Sequence, residues 1–185
     1  MIDERWLLIL VQVPSQPSRH RVAVWRELRR IGAVPLSPGT WLLPAHPAFD
    51  EGLVRAGELV AKGGGSWTLV DAVPRQPGEV AFRAAYEAAR QEEWAEFMAD
   101  CRKFEAEIAK EIAQEKFTFA ELEEEEQSLE RLRRWFRELK SRDVLHLPLA
   151  GDAAEQLARC AAALEGFSSR VYEVMLPEQG GRNSL

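Results

Sequence analysis

The sequence has little cysteine and histidine for a chain of 185 residues. It contains two cysteines, Cys101 and Cys160, which lie far apart, and three histidines, which are isolated from one another. Two cysteines cannot form a disulfide framework or a zinc quartet, so we interpret both as buried packing residues. Isolated histidines do not predict a metal site either. We therefore expect that the protein uses neither a metal ion nor another cofactor.

Long apolar runs are missing as well. No run approaches the ~20 residues that a membrane-spanning helix needs. The first residues place acids ahead of a strand-length apolar run, which is not the plan of a signal peptide. These absences predict a cytoplasmic protein without a membrane partner. The net charge of −6 also argues against a protein that coats nucleic acid indiscriminately.

Recognisable catalytic motifs do not occur, and GxSxG, HExxH and CxxC are all absent. Ferredoxin-like nucleases carry a metal-binding aspartate at the end of their first strand. The first apolar run here ends in Gln12, Val13 and Pro14, and Asp71 is a lone carboxylate in a later strand. We therefore predict that the protein is not an enzyme, and we keep a metal-dependent nuclease only as the last alternative.

The apolar patterning of the first 76 residues predicts alternating strands and helices. The run from Trp6 to Val13 predicts a fully buried strand, and an amphipathic helix follows and ends at Gly32. Next, the sequence predicts two short strands around a Ser-Pro-Gly turn, a helix over 50–62 and a strand over 66–73. This order is the ferredoxin-like βαββαβ plan. We predict an α+β fold with an antiparallel sheet and both helices on one of its faces.

The remainder of the chain reads as helical. Residues 79–116 contain no proline or glycine and predict one helix of about 50 Å, at ~1.5 Å per residue. A capping box at Thr118 and Glu121 begins a second helix, which should pair with the first as an antiparallel hairpin. Asp152 is expected to cap one further helix. We therefore predict a ferredoxin-like domain at 1–76, a helical domain at 77–178 and a flexible tail at 179–185.

The first helix carries the sharpest functional feature of the sequence. Its apolar positions are predicted to form one broad inward face, and they are Val22, Val24, Trp25, Leu28 and Ile31. The arginines of the outer face are Arg19, Arg26 and Arg30, and Arg29 flanks them. Arginine offers several donors and a permanent charge, which suits contacts with the phosphates of nucleic acid. The structural alternative is a solvated face, or ion pairs to the acidic helical half.

The second long helix has an acidic start, Glu121–Glu126, and a basic end, and this order suits the helix dipole. The basic end could also add secondary phosphate contacts, and the candidates are Arg133, Arg134 and Arg137. Residues 1–76 hold nine basic and seven acidic residues, and the remainder holds 15 and 23. Such an asymmetry allows a basic working face on an acidic molecule.

Several motifs of the opening segment resemble a known family. They are a WLL strand at Trp6–Leu8, a VP turn at Val13 and Pro14, a W-R-x-L-R-x-I-G-A core at Trp25–Ala33 and a G-x-x-L-L-P hairpin at Gly39–Pro44. In these motifs the chain is similar to the N-terminal domain of the ChrB family of bacterial chromate resistance regulators. The long aromatic-bearing helix and the alanine-rich last helix extend the resemblance over nearly the whole chain.

The resemblance implies a chromate-responsive transcriptional regulator that binds the operator DNA of a chromate efflux operon. It implies that the arginines of this helix are the DNA contacts, and it adds Arg21 to the set, which becomes Arg19, Arg21, Arg26, Arg29 and Arg30. Full-length members add a C-terminal half, and this chain ends where that half would begin. We therefore expect a form without the sensor half, with chromate or a separate sensor domain as further candidate partners.

Apolar surface on the sheet and on the long helices also predicts a homodimer. The alternative to DNA binding is a non-catalytic protein–protein interaction module that uses the long helices. That alternative predicts arginines that are paired to glutamates in the structure.

Overall fold

A computed structural model describes residues 5–75 and 78–176 of the chain. It confirms the predicted α+β class. A short 3-10 helix, Pro47–Phe49, precedes the second helix. The strands are β1 (Trp6–Gln12), β2 (Val34–Ser37), β3 (Thr40–Pro44) and β4 (Ser66–Ala72), and the helices are α1 (Ser18–Arg30), α2 (Asp50–Lys62), α3 (Gly78–Ala113), α4 (Phe119–Arg142) and α5 (Leu149–Met175).

Contacts divide the chain into two compact units. The sheet unit comprises Met1–Glu92 and Lys140–Leu147, and the helical unit comprises Glu93–Leu139 and Pro148–Leu185. Helices α3 and α4 therefore contribute residues to both units. The predicted division between residues 76 and 77 and the predicted tail at 179–185 fall on residues outside the described ranges, so both stay predictions.

The sheet has the strand order β2-β3-β1-β4, and all its neighbours are antiparallel. Ile9 of β1 is paired with Trp41 of β3 on one side and with Leu69 of β4 on the other. Helices α1 and α2 pack against each other, and their buried residues join Ile9 and Trp41 in one core. This arrangement is the predicted ferredoxin-like plan.

Strand β1 is not fully buried, and that prediction was wrong. Its residues alternate: Ile9 and Val11 are buried, whereas Leu10 between them is exposed. An antiparallel sheet with its helices on one face leaves part of the other face to solvent. The second face is covered at Trp6, whose ring meets Phe82 and Tyr86 of α3 edge-on at centroid distances of 6.1 and 6.0 Å.

Helix α1 also presents a different face to the core from the one predicted. Val24, Leu28 and Ile31 are buried, but Val22 is 43% exposed and Trp25 is 53% exposed. At ~100° per residue, Val22 lies about 160° away from Val24, so both cannot face the core. The prediction placed all five apolar residues on one broad inward face, and it was right for Val24, Leu28 and Ile31 but wrong for Val22 and Trp25.

The contact between α1 and α2 depends on a glycine. Gly52 lies in the first turn of α2, where a Cβ atom would come within 2.1 Å of the Ile31 side chain. Gly52 lowers the helical propensity of its segment, yet α2 still spans the predicted residues 50–62. The close approach of the two helices explains why a residue without a side chain stands there.

The end of α3 and the start of α5 differ from the predictions, by three and four residues respectively. Helix α3 ends at Ala113 instead of Lys116, because Glu115 adopts a positive φ of 54° that stops the helix. Helix α5 begins at Leu149, directly after Pro148, so Asp152 lies in its first turn instead of capping it. A proline fits this position since the first residues of a helix need no N–H partner.

The helical unit has its own core, in which aromatic side chains of α3 and α4 meet. Phe97 of α3 contacts Trp135 and Phe136 of α4 at centroid distances of 5.4 and 5.7 Å. The cysteines belong to this core, and the Cys160 thiol of α5 donates to the backbone oxygen of Cys101 at 3.4 Å. Both cysteines are buried, in agreement with their interpretation as packing residues.

Candidate nucleic-acid interface

Four of the five predicted arginines of α1 project from its exposed side. Arg19, Arg21, Arg26 and Arg29 are exposed, and none of them forms an ion pair among the described residues. The first turn of α1 contains no acidic residue, and Glu27 is the one acid of the helix. The charge of these four guanidinium groups is therefore available to an anionic partner.

Arg30, the fifth predicted residue, lies in an ion pair. Its Nε atom donates to Glu27 Oε2 at 2.8 Å and its Nη2 atom to Glu27 Oε1 at 2.5 Å. Arg55 of α2 donates to the same carboxylate at 3.2 Å. The hydrogen bonds from Arg30 and then Arg55 hold the pKa of Glu27 below its ordinary value, against an opposing effect of burial. Arg55 thus joins α2 to α1 through Glu27, and Arg30 holds the same carboxylate from within α1.

Two apolar side chains lie among the exposed arginines. Val22 and Trp25 were predicted to face the core, and their exposure adds them to the outer face instead. The guanidinium carbon of Arg29 lies 5.9 Å from the centroid of the Trp25 ring, within the range of a cation–π contact. We call the set formed by Arg19, Arg21, Val22, Trp25, Arg26 and Arg29 the α1 surface.

A cavity of about 370 Å³ adjoins the α1 surface. Arg21 and Trp25 form its outer wall, and Trp41 with the turn residues Pro38 and Gly39 forms the wall on the sheet side. Gly39 has a positive φ of 75°, and a Cβ atom there would come within 2.6 Å of the Val11 carbonyl oxygen. The turn thus lies close against β1, and the Trp25 side chain lines the cavity.

The C-terminal end of α1 is held by two arginines from distant parts of the chain. Arg90 of α3 is buried and donates to the backbone oxygen of Gly32 at 2.7 Å, while it packs over the Tyr86 ring. Arg142, at the end of α4, donates to the backbone oxygen of Arg29 at 3.1 Å. They donate to carbonyls at a helix end, where the regular backbone partners run out; the Arg29 oxygen also accepts from the backbone N–H of Gly32 at 3.0 Å. Sequence reasoning missed both, since no local pattern signals such a partner.

The predicted secondary patch on α4 is partly neutralised. Arg137 lies 3.0 Å from a carboxylate oxygen of Glu130, and Arg133 lies 3.9 Å from the other oxygen of the same residue. Arg134 is exposed and has no ion-pair partner in the part of the chain that the structure describes. The patch therefore offers less available charge than the α1 surface.

Within residues 5–75 and 78–176, no group of three or more histidine, cysteine, aspartate or glutamate side chains is arranged to hold a metal ion. Asp71 lies exposed on the edge strand β4. The nuclease alternative thus gains no metal ligands from the tertiary structure. No helix in the same ranges is long and apolar enough to cross a membrane.

Comparison with known proteins agrees with the resemblance seen in the opening motifs. The family described as "Protein ChrB, N-terminal" matches residues 21–178. A curated relative, "Protein ChrB" from Cupriavidus metallidurans, is 31% identical over 99 residues, which is 53% of this chain and 30% of the relative. The match thus spans less than a third of the relative's length. Because the family match covers most of the sequence, the chain belongs to the ChrB N-terminal family.

Proposed function

We propose that this chain is a DNA-binding transcriptional regulator linked to chromate resistance, and that it acts without catalysis. The observation that carries the proposal is the α1 surface, with its four exposed arginines free of ion pairs in the described structure. Membership of the ChrB N-terminal family supports the regulatory role that the sequence resemblance implies. In this proposal Arg19, Arg21, Arg26 and Arg29 contact the DNA, and Arg30 stays in its ion pair with Glu27.

The α1 surface suits the DNA backbone for a physical reason. The four guanidinium groups project from a helix of 13 residues, about 20 Å long at ~1.5 Å per residue. Contacts from arginine to phosphate position a protein on DNA, and contacts to base edges supply the sequence specificity. Arginine can also read guanine with two hydrogen bonds. Trp25 and Val22 add an apolar surface that can pack against sugar or an exposed base face.

The same proposal includes a homodimer, because operators are commonly read by symmetric pairs of subunits. The exposed residues Leu10 and Val70 on the second sheet face offer apolar surface for such a contact. It also includes a cytoplasmic location, and chromate or a separate sensor domain as the source of the signal. Arg134 is proposed as an additional phosphate contact.

Salt-dependent DNA binding tests the proposal. We would measure fluorescence anisotropy of a duplex from the region upstream of the protein's own operon, with a scrambled duplex beside it. The variant is Arg21→Ala/Arg26→Ala. The control is Arg102→Ala/Arg170→Ala, which removes two exposed arginines of α3 and α5 that have no ion pair in the described structure.

We expect the wild-type chain to prefer its own upstream duplex and to lose affinity steeply as salt rises. Removing two phosphate contacts should lower the slope of log K against log salt by about 2, since each contact contributes ~0.9. The control should keep the wild-type slope. Trp25→Ala should weaken binding without changing this slope. No binding by the folded chain at low salt, or equal losses in the variant and the control, would refute the proposal.

The interaction-module alternative makes a different prediction about the same arginines. It expects them to be paired with glutamates, and among the five α1 arginines the described structure pairs Arg30 with Glu27. Arg133 and Arg137 of the helical unit do share Glu130. The charge distribution therefore favours DNA for the sheet unit.

A further inference from the structure

A groove between α3 and α4 in the helical unit carries a surplus of negative charge. Its volume is about 640 Å³. Six carboxylate side chains line it, together with the cationic side chains of Lys103 and Arg131. The six acidic residues are Asp100, Glu107, Glu111, Glu121, Glu124 and Glu125. We call this feature the α3–α4 groove.

Nearby lysines neutralise part of this charge. Lys103 lies 2.6 Å from Asp100, and Lys110 lies 2.6 Å from Glu107. Lys116 lies 3.1 Å from Glu111 and 3.9 Å from Glu121. After these pairs are formed, Glu124 and Glu125 have no hydrogen-bond or ion-pair partner among the described residues. The groove therefore keeps negative charge that the protein itself does not balance.

Glu125 is the most informative of these residues. Its side chain lines the groove although the residue is only 6% exposed. Burial raises the pKa of Glu125, and the carboxylates of Glu107 and Glu124 raise it further. Folded proteins rarely leave a buried carboxylate without a partner, because desolvation of the charge costs free energy. A ligand that supplies positive charge would remove this cost.

Glu111, on the α3 wall of the groove, also has a carboxylate oxygen that lacks a hydrogen-bond partner. It is 2% exposed, and its Oε2 atom has no hydrogen-bond partner, while Oε1 accepts from Lys116. The α3 wall of the groove thus holds a buried Glu111 oxygen without a partner. The α4 wall holds the Glu125 carboxylate, which lines the groove and has no partner in the described structure. Two independent residues therefore point to a cationic ligand.

The arrangement of the carboxylates indicates the kind of cation. No three of the carboxylates described in the structure converge to hold a metal ion. They are spread along the groove instead, and Asp100 and Glu111 are eleven positions apart on α3, about 16 Å at ~1.5 Å per residue. The apolar side chains of Phe104, Leu132 and Trp135 lie between them. An extended cation with several charges and apolar spacers matches this pattern.

We propose that the α3–α4 groove binds a linear aliphatic polyamine. Its ammonium groups would donate to Glu125, Glu111 and Glu124, with charge-assisted hydrogen bonds. Its methylene segments would lie over Phe104 and Leu132, as the stems of lysine side chains lie over apolar surface. The Trp135 ring offers a further contact for an ammonium group. This site lies in the helical unit and does not depend on the DNA-binding proposal.

Calorimetric titration with spermidine at constant ionic strength tests this proposal on the full chain. The variants are Glu125→Gln and Glu155→Gln, and Glu155 is an exposed residue of α5 that lies outside the groove. Both substitutions remove one negative charge, so general electrostatic attraction changes equally. We expect Glu125→Gln to weaken spermidine binding about tenfold, the loss of one charge-assisted hydrogen bond. Glu155→Gln should bind as the wild-type chain does.

Three results would overturn the proposal. They are no binding of spermidine by the wild-type chain, equal affinities of the two variants, and displacement of spermidine by an equal concentration of Mg²⁺. Hydrogen exchange on the wild-type chain provides a readout that needs no variant. Bound spermidine should slow exchange in the first turns of α4, and unchanged exchange there at saturating spermidine would also refute the site.

Discussion

Two poorly exposed glutamates, one in each unit, have opposite surroundings. Glu27 in α1 is 12% exposed and accepts hydrogen bonds from Arg30 and Arg55, which lower its pKa. Glu125 in α4 is 6% exposed and has no partner in the described structure, and its pKa is raised by burial and by neighbouring carboxylates. Both residues stand on amphipathic helices, so the secondary structure does not distinguish them.

The difference shows how each unit uses its charge. In the sheet unit the Glu27 carboxylate pairs with both Arg30 and Arg55 at the α1–α2 contact. The other α1 arginines are exposed and have no ion pair in the described structure. In the helical unit carboxylates outnumber cations along the α3–α4 groove. The first arrangement stabilises the fold and leaves a basic surface. The second arrangement costs free energy, because the carboxylates repel one another and Glu125 lacks a cationic partner in the described structure. We therefore expect a positively charged ligand there.

The largest effect should come from breaking the close approach of α1 and α2. Gly52→Ala would place a methyl group within 2.1 Å of Ile31, so the helices must separate and the Glu27–Arg55 contact must lengthen. We expect a loss of about 2–3 kcal/mol in the free energy of unfolding, typical of overpacking. Urea denaturation followed by circular dichroism measures it.

Gly166→Ala is the matched control, because this helical glycine of α5 has open space within 4 Å of the position that a Cβ atom would take. There the substitution should stabilise the chain by about 0.4–1 kcal/mol, since alanine favours the helix. Similar effects of the two substitutions would mean that Gly52 does not hold α1 and α2 in close contact.

A smaller loss is expected from Glu27→Gln, which removes the carboxylate that Arg30 and Arg55 share, while Arg55 keeps its ion pair with Glu51. At neutral pH the free energy of unfolding should fall by about 1–2 kcal/mol. This is the contribution expected of charge-assisted hydrogen bonds once it is reduced by solvent screening. The folded-state pKa of Glu27 is lowered, so its stabilisation is present above the ordinary glutamate pKa of ~4.3 and is lost as the pH falls through the lowered value. Denaturation curves at several pH values should therefore converge for the variant and the wild type in acid.

The smallest effect, and of opposite sign, is expected from Glu125→Gln. Its folded-state pKa is raised, so the native chain is favoured at low pH and loses that contribution as the pH rises through the raised value. The neutral amide removes this loss, and we expect a gain of about 1 kcal/mol at neutral pH, at the lower end of the cost of an unsatisfied buried group. The gain should disappear below the ordinary glutamate pKa. A loss of stability at neutral pH would show that Glu125 is balanced within the protein.

Much of the fold could be predicted from local patterns. The order of elements follows from apolar periodicity and from the turn residues between segments, and α2 spans the predicted residues. The buried face of α1 could not be predicted. A row of apolar residues that contains Val22 and a row that contains Val24 both include Leu28 and Ile31. Only packing against the sheet separates these two rows. The exposure of Trp25 was missed for the same reason.

The candidate site divides in the same way. The sequence alone determined that five arginines stand on one 13-residue helix, and it carried the resemblance to the ChrB N-terminal family, whose match covers residues 21–178. The pair of Arg30 with Glu27 is local, at a spacing of three. Only the tertiary structure decided that Arg55, 28 positions from Glu27, reaches the same carboxylate, and that Arg142, 113 positions from Arg29, contacts the end of α1. It also brought Glu111 and Glu125 to one groove. Ion pairs and burial depend on which surfaces meet in space, and local spacing along a helix carries no record of its distant neighbours.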